Sequence, residues 1–208
     1  MYQKKNKSYA IIAILYFIAI IFGYLAMGVL YKRGVPYYYV IQWLLLASAV
    51  LIAVIKDRSV ICLGFTKEKI KTNLLVSGII IAASIVFAFL YADRPAAVIV
   101  KAVFYYLFYI ALLEEIIFRG FLQSYLFGLP VNTKIIYIIG AVMFALMHLP
   151  FQMFVNNMIS LSYVVVAMPQ LIFTFVFHLV MCFITYKRKD ILIPTALHFA
   201  LDFVQAVL

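Results

Sequence analysis

Charge is what this chain has least of. Only 12% of its 208 residues are Asp, Glu, Lys or Arg, too few to coat a water-soluble domain of this size. Cysteine is nearly missing too. Cys62 falls in a basic loop and Cys182 in an apolar stretch, which excludes a disulfide framework, and neither is expected to act as a thiol nucleophile. Long polar segments are lacking, so no separate soluble domain fits, and residues 1–208 read as a single membrane domain. There is no internal repeat and no low-complexity segment.

What the chain does have is apolar length. It is 68% hydrophobic with a mean hydropathy of +1.14, the composition of an integral membrane protein. Apolar runs long enough for spanning helices occur at Tyr9–Leu30, Tyr37–Ile55, Leu74–Tyr91, Pro95–Leu113 (continuing as helix to about Phe127), Lys134–Leu149, Ser162–Tyr186 and Ile191–Leu208. The fold class is therefore all-α, a polytopic membrane helix bundle of about seven spans. Ala26-Met27-Gly28 faintly resembles a signal-peptidase site, but the run before it is long, and a retained signal-anchor is expected.

The net charge of +10 invites a nucleic-acid reading, but the basic residues lie in loops and no nucleic-acid-reading pattern accompanies them. Their distribution gives the topology instead. Alternate loops carry Lys4, Lys5, Lys7, Lys56, Arg58, Lys67, Lys69, Lys71, Lys134, Lys187, Arg188 and Lys189 on one side, and Lys32, Arg33 and Arg94 on the other. Basic loops face the cytoplasm, which places the N-terminus inside and the C-terminus outside, in what is expected to be a bacterial cell membrane. Tyr37, Tyr38, Tyr39 and Trp43 suit an interfacial aromatic belt. The basic stretch 56–73 reads as a solvated loop.

Nearly all remaining ionisable chemistry sits in three islands within apolar runs, where it is costly and marks a functional site. In LLEEIIFRGFLQ, Glu115 and Arg119 are four residues apart on one helical face and form a favourable pair. Glu114 points about 100° away, into the bundle, where a poorly hydrated carboxylate suits a general base. In FALMHLP, Phe144 and His148 are i,i+4 neighbours, so the ring can orient the imidazole. In HFALD, His198 and Asp202 lie one turn apart, a carboxylate beside an imidazole that fixes its tautomer or helps it receive an oxyanion. His178 reads as a neutral, hydrogen-bonded residue. Counting depth raises a difficulty. His198 lies about 10 Å from the cytoplasmic end of its helix and His148 about 20 Å from the same side. Either the fifth helix tilts or the connection at Gly128, Pro130 and Asn132 is irregular.

EEIIFRG, FALMHLP and HFALD, in this order on successive apolar helices, resemble the CAAX-protease and bacteriocin-processing (CPBP, Abi) family of intramembrane proteases, marked by Glu-Glu-x-x-x-Arg, Phe-x-x-x-His and His-x-x-x-Asn/Asp. The resemblance covers about Tyr105–Phe203. It implies a catalytic core in 95–208 preceded by N-terminal helices in 1–94. Within it, Glu114, His148 and His198 line a catalytic cavity, supported by Glu115, Arg119, Phe144 and Asp202. Asp202 stands where many relatives carry Asn, and bulky Leu179 and Phe183 stand where relatives often place glycine.

Two mechanisms follow from the resemblance. In one, Glu114, His148 and His198 bind zinc. In the other, without metal, Glu114 and His148 activate water while His198 and Asp202 receive the oxyanion. The expected substrate is a hydrophobic peptide or membrane-anchored protein, cut within membrane lipid, in peptide processing or bacteriocin self-immunity. The competing readings are a non-enzymatic membrane immunity or binding protein and a proton-coupled transporter. The confinement of the ionisable residues to the C-terminal half counts against the transporter.

Overall fold

The computed structural model describes residues 2–208. Seven helices account for nearly all of it: α1 (Lys7–Lys32), α2 (Val40–Asp57), α3 (Ile70–Tyr91), α4 (Ala96–Leu126), α5 (Thr133–Val155), α6 (Ser162–Arg188) and α7 (Leu192–Val207). The first six are long and apolar enough to cross a membrane, while α7 is apolar but only 16 residues long. The expected span boundaries agree to within a few residues, with no strand among the described residues.

Local chemistry sets the ends. Asn6 caps α1 by accepting from the Ser8 amide at 3.1 Å, and Asn132 caps α5 by accepting from the Lys134 amide at 2.9 Å. Lys187 and Arg188 close α6 with positive charge at its negative end, and Lys189 turns the chain in the left-handed region, φ 65°. All four basic segments gather at one end of the bundle. The Lys5 amide donates to the Phe127 carbonyl, Lys5 pairs with Asp57 at 3.1 Å, and the Ile191 amide donates to the Gly64 carbonyl. At the opposite end Tyr31, Tyr38 and Phe151 pack ring to ring, 5.5–5.7 Å between centroids.

The axis of the bundle is the second half of α4 and the turn after it, where every residue from 113 to 128 is buried. It carries two π segments, Tyr105–Ala111 and Glu115–Leu122, separated by a single α-helical stretch at Leu112–Glu114. A hydrophobic pattern read at 3.6 residues per turn does not reveal such widened turns. On the site side, α7 packs along α3, α5 runs beside α6, and the outer turns of α5 lie against α1.

The stretch after α2 departs from the solvated loop expected of it. A 3₁₀ turn at Ile61–Leu63 tucks Cys62 and Leu63 into the core, and burial pushes the Cys62 thiol up to about 12, which keeps it protonated and unreactive. The turn is admitted by Gly120, where a Cβ would overlap the Leu63 carbonyl oxygen and leave no flexible side chain to move aside. Gly120→Val is therefore expected to abolish accumulation of folded protein, read as loss of the monodisperse peak in detergent. Gly78→Val, with open space around its position, should leave that peak in place.

The depth difficulty is eased at α7, in addition to the irregular connection before α5. Asp190 and Ile191, which lead into α7, are 1% and 0% exposed and covered by Asn73 and Gly64. The short helix starts recessed inside the bundle, which brings His198 level with residues farther along α5. Burial raises the Asp190 carboxyl above its usual range, and its Oδ2 accepts from the Asn73 amide at 2.6 Å.

Candidate active site

Glu114, His148, His198 and Asp202 line one cavity of about 830 Å³ between α1, α2, α4, α5, α6 and α7. Three helices deliver the four side chains, from sequence positions 84 and 88 residues apart at the extremes, His198 and Asp202 counted from Glu114. The rest of the lining is largely aromatic and amide, including Tyr24, Tyr105, Phe151, Phe177, Gln152 and Gln170.

Glu115 organises the site from behind. Wholly buried, it sits 2.9 Å from Arg119 and 2.9 Å from Nδ1 of His198, so a single carboxylate serves a cation on its own helix and an imidazole on α7. The Arg119 contact is close but not aligned as a hydrogen bond. The guanidinium is instead stacked 3.9 Å over the Phe144 ring, with Phe177 at 5.2 Å. Behind it, the Tyr2 hydroxyl donates to the Arg119 carbonyl at 2.8 Å.

Phe144 is the hub of the aromatic packing. Its ring meets His148 edge-on at 5.1 Å and lies 5.3 Å from His178 and 6.4 Å from His198. The backbone of the same residue orients His148, because the Phe144 carbonyl takes Nδ1 at 2.9 Å. A carbonyl can only accept, so Nδ1 carries the hydrogen and Nε2 keeps its lone pair. His198 is the reverse case. Nδ1 donates to Glu115, and Nε2 faces carboxylates, Asp202 at 3.4 Å and Glu114 at 3.9 Å. Charge complementarity makes His198 the donor of the pair and His148 the acceptor.

Glu114 is 6% exposed, and its Oε2 has no protein hydrogen-bond partner. That oxygen is itself buried, and the residue as a whole borders the cavity. Asp202 is more open, its side chain 36% exposed at the cavity wall. Among the described residues no three His, Cys, Asp or Glu side chains converge closely enough to hold a metal ion. His198 is already held at one nitrogen and flanked at the other by two carboxylates. As arranged, the donors do not fit a zinc ion.

Two features of the site are not apparent from the motifs. His198 is oriented by Glu115 across the helix interface, in addition to Asp202 on its own helix. His178, expected to be neutral and hydrogen-bonded, finds its partner in Gln123 of α4 at 3.2 Å, with Cys182 Sγ also at 3.2 Å. Gly140 makes room for that contact, since a Cβ there would collide with the Gln123 amide. A signal was present: Glu115, Arg119 and Gln123 recur every four residues in an apolar helix, the pattern of a buried polar stripe.

Residues 95–204 match the family described as type II CAAX prenyl endopeptidase, Rce1-like. The chain belongs to this family. The four acidic and histidine residues of the cavity and the Glu115–Arg119 pair fall inside the matched segment, and the first three helices precede it. Membership in the Rce1-like family makes the chain a membrane-embedded protein of a protease class. No curated protein and no solved structure matches it.

Proposed function

We propose that this Rce1-like protein is a metal-independent intramembrane endopeptidase that cuts a lipophilic or membrane-anchored peptide, in peptide processing or bacteriocin self-immunity. The observation that carries the reading is Glu114, whose Oε2 makes no hydrogen bond within the protein, lining the same cavity as an accepting His148 and a donating His198. Water held by Glu114 and the His148 Nε2 lone pair gives up a proton as its oxygen attacks the scissile carbonyl. His198 donates to the oxygen that takes up the carbonyl electrons, with Asp202 beside it. The tetrahedral intermediate collapses as the C–N bond breaks, and the proton taken by Glu114 passes to the leaving amine. Glu115 and Arg119 keep the His198 ring in place and touch no reacting atom.

Two measurements test it on the purified protein with a fluorescence-quenched hydrophobic peptide. His148→Ala should lower turnover by about 100- to 10,000-fold, the range for loss of a positioned acid-base group. Turnover should also survive dialysis against a strong chelator. Activity lost on chelation and restored by zinc would overturn the metal-free mechanism, and unchanged turnover in His148→Ala would overturn hydrolysis at this cavity.

A further inference from the structure

The cavity has a closed end and an open end, and they correlate with charge. Towards the basic end it is shut off by the buried half of α4 and the turn that follows, residues 113–128, over which Tyr2 inserts and stacks on Phe127 at 5.5 Å. Towards the other end its lining runs to the helix termini. Tyr39 precedes the first residue of α2, Gln152 lies in the last turn of α5, and Gln205 in the last turn of α7. Tyr39 is 37% exposed, and Gln205 is also exposed.

Twelve loop or helix-end Lys and Arg residues lie at the closed end, against Lys32, Arg33 and Arg94 at the open one. In a membrane, the strongly basic end is held at the cytoplasmic, anionic leaflet. We infer that the cavity is loaded from the extracytoplasmic face, so that its substrate is an exported peptide or the outward-facing segment of a membrane protein. This deepens the hydrolytic reading and rests on it for the word substrate, while the direction of opening stands on the geometry and the charge count.

The lining also selects by charge. Among the described residues it contains Glu114 and Asp202 and no Lys or Arg. No Lys or Arg there pairs with a peptide's terminal carboxylate or an acidic side chain, whereas a cationic segment meets two carboxylates. A neutral or cationic segment suits such a cavity better than an acidic one.

Single-cysteine labelling with a membrane-impermeant maleimide tests the direction without reference to activity. Cys62 and Cys182 are both buried and give a low background. In intact cells Tyr39→Cys and Arg94→Cys should label, and Lys67→Cys should label only after permeabilisation. The opposite pattern, or Tyr39→Cys reacting only after permeabilisation while Lys67→Cys reacts in intact cells, overturns the inference. In right-side-out membrane vesicles, a quenched hydrophobic peptide flanked by lysines should be cut at least about ten times faster than the same peptide flanked by glutamates. Equal or reversed rates overturn the charge preference. A Glu114-independent signal would sink hydrolysis and leave the labelling result intact.

Discussion

Glu114→Gln is expected to cut peptide hydrolysis by about 100- to 10,000-fold, the usual cost of removing a general base, with the protein still present in the membrane at its normal level. The substitution keeps the volume and removes only the ability to take a proton. Because Glu114 Oε2 has no hydrogen-bond partner in the protein, no structural network is broken by the change. The neighbouring His198 Nε2 is 3.9 Å away, beyond hydrogen-bonding distance. Single-turnover cleavage with purified variant, beside its membrane abundance, measures both halves of the expectation. A variant that cleaves normally would remove Glu114 from the chemistry. One that disappears from the membrane would make it a structural residue.

Glu115→Ala should behave differently, through folding. It leaves Arg119 buried at 0% exposure without its carboxylate and frees His198 Nδ1, and loss of one partner of a buried ion pair costs about 3–5 kcal/mol. Little folded protein should remain, seen as early loss of the monodisperse peak on heating in detergent. The pairing of Glu115→Gln with Arg119→Met should recover much of the stability, because two uncharged side chains of similar size replace the pair. It should not recover turnover, because His198 loses its charged anchor. Recovery of both would show that Glu115 orients nothing. Gln is chosen over Ala in the double variant so that His198 Nδ1 keeps an acceptor of reduced strength.

The contrast between the two adjacent glutamates is the part of the site most legible in the sequence. Residues one apart on a helix point in different directions, and residues four apart share a face, so Glu115 had to meet Arg119 while Glu114 looked elsewhere. The spans were equally legible, since long apolar runs permit little besides helices in a bilayer. What escaped is non-local. The Glu115–His198 contact joins residues 83 positions apart, and no periodicity encodes it. Burial of Leu63 depended on Gly120 offering a backbone-sized notch, which the motif residue hides as an ordinary glycine. The recess at Ile191 was invisible because an apolar helix of 16 residues reads as a short span rather than a sunken one.

The π segment at Tyr105–Ala111 bears on how this helix can change over generations. A widened turn is the mark of one surplus residue absorbed locally without disturbing what lies beyond it. Removing a single residue from that stretch lets the ordinary ladder close while Glu114 and everything beyond it keep their facing. A deletion in the regular turn at Leu112–Glu114 has no such slack and would swing the residues after it by about 100°. Length is therefore tolerant among these tyrosines and strict in the turn that follows them: a one-codon loss in the first is absorbed, and in the second it would blind the cavity.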